Sequence, residues 1–459
     1  MPDAPEPPAT AAMHAYGPEL DAFADEVIAF ARRRMAADAH DLPLGAPRTP
    51  AELDAAGGVT ITEAGIGATA ALRLFREVLE PACLSSDHHR YLAFVPAAPS
   101  EVSILADLAV SACSIYAGSW LEGGGAVWAE NQALRWLADL AGMPAGAGGV
   151  FVSGGTTGNL SALVAARAAA AGRRGGRPSR WALVVGEEAH SSIEAAAGVM
   201  DVDLVTVPGD RLTGEALDPV LAGVADRAFA VVATAGSTNL GLVDDLDSVA
   251  EVCRARDVWL HVDGAYGGAA LAAPSARHRF AGIEHADSFI VDPHKWLFAP
   301  FDACALLYRD PSVAKACHAQ HAEYLEVLYG AEWNPSDYAV HLSRRARGLP
   351  LWFSLAAYGA QAYADAVETC LRTAREAAEL VRTAPHVELV LEPELSVVVL
   401  RRPGWAAEDY RAWSLALLRS GDGFVVPSSH HGEPMLRLCI VNTRSSAADV
   451  AAILDSMRD

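Results

Sequence analysis

Apolar positions along this chain follow three successive patterns. Near the N-terminus they recur every three or four residues, so "GPELDAFADEVIAFARRRMA" reads as an amphipathic helix and "GIGATAALRLFREVLEPA" contains a second. Residues 1–75 are therefore expected to form a tail and a helical arm. Across residues 76–345 short continuous apolar runs alternate with helical stretches. The predicted strands are "GGVFVS", "WALVVG", "FAVVATA", "WLHVDG", "SFIVD" and "CALLYR", with helices such as "NLSALVAARAAAAG" and "DLDSVAEVCRARD" between them. Such alternation predicts a largely parallel sheet covered on both faces. Residues 346–459 change pattern again: one long helix, the strands "VELVLE", "ELSVVVLRR" and "MLRLCIV", and a closing helix from "SAADVAAILDSM". This reads as a smaller α+β domain.

Composition narrows the function classes. With 459 residues, 52% of them hydrophobic, the chain can bury a large core in two or three domains. A formal charge of −22 argues against a nucleic-acid partner, because phosphate backbones call for clustered Lys and Arg. No uninterrupted apolar run reaches the roughly 18 residues of a membrane span, so no membrane partner is expected. The first residues, "MPDAPEPPATAAMHAYGPEL", read as a flexible acidic tail rather than a signal segment. Seven scattered cysteines without a CxxC spacing speak against a zinc site or a disulfide framework and fit a reducing cytoplasm. No repeat at solenoid periods is visible.

The candidate chemistry begins with lysine. Only two are present, Lys295 and Lys315, the other basic residues being arginine. Lysine can lose its proton when partly buried and act as an amine nucleophile, which arginine cannot. Lys315 sits on an ordinary helical stretch, whereas Lys295 lies in "DPHKWLFAP", directly after the strand "SFIVD". Ligand-binding residues of open α/β sheets gather beyond the C-terminal ends of strands. Three other strand ends carry polar groups. "FVSGGTTGNL" sets Ser153, Gly154, Gly155, Thr156, Thr157 and Gly158 between a strand and a helix, a seat for a phosphate. "GEEAH" ends at His190, and "HVDGAYGG" holds Asp263. Alone, each has a bland reading: a glycine-rich turn, a structural histidine, a capping carboxylate. Together they are the parts needed to hold pyridoxal phosphate: an amine for its aldehyde, a carboxylate for its pyridine nitrogen, an imidazole and the small Ala265 for its two faces.

These segments resemble the group II pyridoxal-phosphate-dependent amino-acid decarboxylases, which include the aromatic-L-amino-acid, glutamate and histidine decarboxylases. The resemblance rests on "HHRYLAFVPAAPS", "FVSGGTTGNLSALVAAR", "EEAHSSIEAA", "VVATAGSTN", "WLHVDGAYGG", "DSFIVDPHKWL", "LSRRARGLPLW" and "LRLCIVN". It implies the type I, aspartate aminotransferase-like fold, with a mostly parallel seven-stranded sheet and a smaller C-terminal domain. It further implies pyridoxal 5'-phosphate as cofactor and an amino-acid substrate that loses its carboxylate to give an amine. Lys295 would link to the cofactor, with His294 beside it near the phosphate. Asp263 would pair with the ring nitrogen, Ala265 and His190 would flank the ring, Thr156 and Thr157 would bind phosphate, and Thr234 would lie near the ring hydroxyl. A homodimer with its active site at the subunit interface is also implied.

The family returns a proton to the substrate from a loop tyrosine of the partner subunit. Tyr338 matches that position best, with Tyr329 in reserve. The side-chain pocket would begin at Phe94 and Pro96. Val95, Ala97 and Gly118 stand where aromatic-acid enzymes tend to carry larger groups, which leaves an aliphatic or unusual substrate open. Arg344, Arg345 and Arg347 could meet an acidic side chain or be paired structurally. Rival readings keep the cofactor and change the bond (aldehyde synthase, aminotransferase or lyase), or make the chain a silent scaffold or a sugar-phosphate or nucleotide binder.

Overall fold

The long apolar runs fold as strands because both of their faces are covered. The computed structural model describes residues 13–37, 42–320 and 332–458, which divide into two compact units, Met1–His88 and His89–Asp459. The first unit is helical. Its helices Pro18–Ala36, Pro50–Gly57 and Ala68–Leu74 run on into a π turn at Phe75–Leu79. Thr49 and Glu52 close a reciprocal capping box on the second helix, so two otherwise unpaired N–H groups are satisfied. The two helices expected in this region are both present.

The second unit contains two sheets. The larger has seven strands: β1 (Gly148–Val152), β2 (Ala182–Gly186), β3 (Asp203–Val207), β4 (Ala228–Thr234), β5 (Trp259–Asp263), β6 (Ser288–Val291) and β7 (Cys304–Tyr308). Their spatial order is β1-β7-β6-β5-β4-β2-β3. β3, β2, β4, β5 and β6 run parallel, and β7 is antiparallel to both of its neighbours. The sheet is therefore mixed, with one reversed strand. β2, β4, β5 and β6 are buried at every position, which is why they read as continuous apolar runs. The edge strand β3, "DLVTV", is only part-buried, and its polar positions hid it from the sequence reading.

The smaller sheet is antiparallel, in the order β10-β11-β9-β8, from β8 (Glu388–Leu391), β9 (Val397–Arg401), β10 (Pro427–His430) and β11 (Glu433–Cys439). The helix Leu349–Thr383 leads into it and is broken at Gly359, whose φ of +78° suits glycine. This gives the expected architecture of a large α/β domain followed by a smaller α+β domain. No helix among the described residues is long and apolar enough to cross a membrane. All seven cysteines are free thiols.

Candidate active site

The parallel strands all deliver their C-terminal ends to one rim of the large sheet. β1 ends in the turn Ser153–Gly154, which opens the 20-residue helix Gly155–Arg174. No side chain caps that helix, so its first N–H groups are left to an anion. Glycine is required here for closeness: a Cβ on Gly155 would meet Asp292 Oδ2 at 3.2 Å and Ala265 Cβ at 3.3 Å. One turn on, a Cβ on Gly158 would press Ile290 and Cys304 at 3.0 Å, so the helix lies flat on the sheet. Thr157 is bonded to Ser153 through the hydroxyls at 3.1 Å.

Asp263 ends β5. Its Oδ2 accepts from Asn159 Nδ2 at 2.8 Å and its Oδ1 from the Ala265 amide at 3.1 Å, so both oxygens are fixed. Thr234 ends β4 and donates its amide to Asp244 Oδ2 at 2.6 Å. Burial lifts the Asp244 carboxyl to about 6, with the Thr234 and Leu212 amides opposing the rise. His190 caps the helix Ser191–Met200, its Nδ1 accepting from the Ser192 amide at 3.2 Å. An N–H donor at Nδ1 leaves the proton of the neutral ring on Nε2.

Lys295 rides on the single turn Pro293–Trp296 after β6. Its Nζ lies 3.0 Å from Asp292 Oδ2, and the side chain keeps 22% of its exposure. Burial alone would depress its ammonium, but the nearby carboxylates of Asp292 and Asp263 outweigh that and raise the pKa. His294, beside it, is held with Nδ1 2.7 Å from the Ala303 carbonyl oxygen. Burial lowers the His294 pKa, and the Asp292 charge resists.

These groups share one cavity of about 330 Å3. Of the residues expected from the sequence, Thr156, His190, Thr234, Asp263, Ala265, His294 and Lys295 line it. The reading missed Asn159, Ser192 and Asp292, which line it as well. Asn159 and Asp292 stood within motifs already singled out, "SGGTTGN" and "DPHK", and only their partners in space give them meaning.

Four expected residues are not among those lining the cavity: Thr157, Phe94, Pro96 and Tyr338. Phe94 is exposed, with its ring 5.9 Å from Phe424, and Pro96 is buried. Tyr338 lies in the core of its own subunit. It is 4% exposed, its ring stacks on Trp333 at 4.0 Å, and it packs with Val150 and Val152 of β1. Burial pushes its phenol well above the ordinary value. It packs among core residues and does not line the cavity of its own subunit, and the reserve candidate Tyr329 lies outside the described residues. The arginines are paired: Arg344 with Glu130, Arg345 with Asp107 and Arg347 with Asp302. Gly118 is glycine for packing reasons, since a Cβ would strike the Tyr116 hydroxyl at 2.4 Å and the Leu342 carbonyl at 2.8 Å.

The pyridoxal-dependent decarboxylase conserved domain matches residues 69–402 of the chain. The chain belongs to the pyridoxal-dependent decarboxylase family. Among curated relatives, it is 30% identical over 387 residues to an aromatic-L-amino-acid decarboxylase of Bacillus atrophaeus, covering 80% of each chain. It is 32% identical over 417 residues to an L-2,4-diaminobutyrate decarboxylase of Rhizobium meliloti, covering 86% of this chain and 83% of the relative. The crystal structure of Oryza sativa TDC with PLP and tryptamine superposes with a TM-score of 0.89 at 24% identity, over 96% of this chain and 99% of that one. That likeness shows the type I fold of the family.

The family's cofactor is pyridoxal 5'-phosphate, and the residues of this cavity fit it. The uncapped helix end suits the phosphate. Asp263 presents an ionisable oxygen pair already held by two donors. Lys295 supplies a primary amine in the same cavity. The chain is thus a pyridoxal-phosphate-dependent carboxy-lyase acting on an amino acid.

Proposed function

We propose that the chain converts an L-amino acid to the corresponding amine and carbon dioxide in the cavity around Lys295. The observation that carries the reading is the convergence of Lys295, Asp263 and His190 on one space beneath an uncapped helix. Bound there, pyridoxal phosphate supplies an aldehyde that captures the substrate amine and a ring that draws electrons from the bond that breaks. The rest is work for the chain. Lys295 offers the amine that holds the cofactor and yields to the substrate. Asp263 would meet the ring nitrogen and favour its protonated form. His190 would cover one face of the ring and Ala265 the other, and the two would exclude water. Thr156 and the helix end would hold the phosphate, with Thr157 supporting the turn through Ser153, Thr234 near the ring hydroxyl and His294 next to Lys295.

Which bond breaks would be set by how the residues lining the cavity orient the substrate. In decarboxylation the Cα–carboxylate bond breaks, carbon dioxide leaves, and a proton takes its place at Cα. Phe94 and Pro96 begin the side-chain pocket in this reading. A homodimer completes it: Leu105, Leu108, Leu121, Trp128 and Phe353 are exposed apolar groups on the helices Glu101–Ala112, Trp120–Leu140 and Leu349–Thr383, a surface suited to a second copy.

A second reading, decarboxylation coupled to aldehyde formation, is favoured by one observation. Among the described residues, the tyrosine lining the cavity is Tyr266, whose hydroxyl is engaged with Ser396 at 2.7 Å. That hydroxyl is therefore not free to return a proton. Incubating purified holoenzyme with a panel of protein and non-protein L-amino acids, scored for carbon dioxide, amine, aldehyde and keto acid, tests both. Carbon dioxide with amine supports the first reading, and carbon dioxide with aldehyde the second. Keto acid without carbon dioxide overturns both. Borohydride reduction followed by peptide mapping must tag Lys295.

A further inference from the structure

Behind Asp263 a line of buried polar side chains starts at Asn159, on the wall of the cavity, and runs through His261, Ser288 and Trp259, which do not line it. Asn159 Nδ2 donates to Asp263 Oδ2 at 2.8 Å and also to Ser192 Oγ at 3.1 Å. Its Oδ1 sits 2.8 Å from His261 Nε2. His261 Nδ1 is 2.8 Å from Ser288 Oγ, and Ser288 Oγ accepts from Trp259 Nε1 at 2.8 Å. Asn159, His261 and Ser288 are all buried, on the helix Gly155–Arg174, on β5 and on β6.

Hydrogen-bond chemistry leaves this line a single direction. An ionised carboxylate only accepts, so the Asn159 amide must turn its NH2 toward Asp263 and its oxygen toward His261. That oxygen needs a donor, so the His261 proton is on Nε2 and Nδ1 accepts. Ser288 must then donate to Nδ1, which leaves its own oxygen to receive the indole N–H of Trp259, a group that can only donate. Every bond points toward Asp263, and each polarises the next. Burial lowers the His261 pKa to about 4, against the pull of Asp263, so the ring stays neutral and the relay keeps its polarity at neutral pH. The charged groups near Asp263 from the other side are Lys295 and, through it, Asp292.

We propose that Asn159 is a positioning residue for the cofactor's ring nitrogen, and that His261, Ser288 and Trp259 form a one-way donor relay behind it that holds the Asp263 carboxylate in place. Asn159 is saturated in this role, with both amide hydrogens and its oxygen committed. The relay predicts graded effects with distance from Asp263. Losing the direct bond to the carboxylate removes a charge-assisted donor, and losing Ser288 removes only the polarisation of a bond two steps away.

The inference rests on the cofactor site and not on which amino acid is used, so the test reads cofactor binding rather than product. Asn159→Ala and Ser288→Ala are compared with the unaltered holoenzyme by equilibrium affinity for pyridoxal 5'-phosphate and by the pH midpoint of the bound cofactor's absorbance. Asn159→Ala should weaken affinity roughly tenfold to a hundredfold, the scale of a hydrogen bond to a charged group, and move the midpoint. Ser288→Ala should move both in the same direction by a smaller factor, about two- to fivefold in affinity. If Asn159→Ala does not fold, Ser288→Ala decides alone. Unchanged affinity and midpoint, even with a lower melting temperature, would make the line structural only and overturn the proposal.

Discussion

Lys295 Nζ sits 3.0 Å from Asp292 Oδ2, one turn back along the same short helix, while no N–H or O–H donor among the described residues reaches the other oxygen of that carboxylate. Asp292 is 1% exposed, so its charge is balanced chiefly by Lys295. The pair holds the amine protonated, and a protonated amine cannot attack an aldehyde. Asp292→Asn should therefore speed capture of pyridoxal 5'-phosphate by the apoprotein at neutral pH by roughly tenfold, the scale of one charge-assisted hydrogen bond. The growth of absorbance after mixing reads this directly across a pH series. A variant no faster than the parent would mean that Asp292 does not govern the amine.

Tyr338 makes the opposite kind of prediction. Its ring stacks on Trp333, and its carbonyl oxygen accepts from the Tyr308 hydroxyl at 3.1 Å, so the ring counts and the phenol does not. Tyr338→Phe should keep product formation within about twofold, far from the 10²-fold or greater loss expected when a general acid is removed. Tyr338→Ala should cost about 3–5 kcal/mol in urea unfolding, as for other large aromatic truncations. A hundredfold loss of amine in the Phe variant would restore Tyr338 to the chemistry. Tyr329→Phe, run alongside, tests the other candidate.

How far the sequence could be read follows from which signals are local. β2, β4, β5 and β6 are buried on both faces, so each is an unbroken apolar run whatever its neighbours. β3 lies at the sheet edge and β10, "PSSH", begins with proline at an edge, so neither carries that signature. Lys295, Asp263 and His190 were legible because each follows a strand, and strand ends are where such sheets bind ligands. Asn159 and His261 were not, being 102 residues apart and meaningful only as a bonded pair. The burial of Tyr338 was not legible for a related reason. Its segment has no periodicity of its own, and its burial comes from Trp333 and β1.

Arg344 belongs to the scaffold rather than to the substrate. Its guanidinium grips Glu130 with two bonds of 2.7 Å and reaches the Ala117 carbonyl at 2.8 Å, while Glu130 also accepts from the Gly348 amide at 2.8 Å. Both side chains are almost wholly buried. Removing one partner strands the other charge, so Arg344→Met should cost about 3–5 kcal/mol in urea unfolding. Arg344→Met combined with Glu130→Leu should cost less than Arg344→Met alone. Substrate preference, scored on the same amino-acid panel, should not move. A switch in preference at unchanged stability would return this arginine to the pocket.

His261 gives the fold a dependence on acid. Its pKa falls from 6.5 to about 4 on folding, so between those values the unfolded chain binds a proton that the folded chain does not. Stability from this group is complete above about pH 6.5 and is lost as the pH drops toward 4, on the order of 3 kcal/mol in all. Asp244 acts in the reverse sense over nearly the same range. With its pKa raised from 3.8 to about 6, the folded state binds the extra proton, and stability increases as the pH falls. The two offset each other, so the parent protein alone cannot display either. His261→Gln can, because the amide replaces both ring bonds and does not titrate. Between pH 7 and 4.5 the variant should lose less stability than the parent in urea unfolding, with the gap widening as the pH falls. Parallel curves for the two proteins would show that His261 does not resist protonation in the folded state, and the neutral link on which the line to Asp263 depends would be absent.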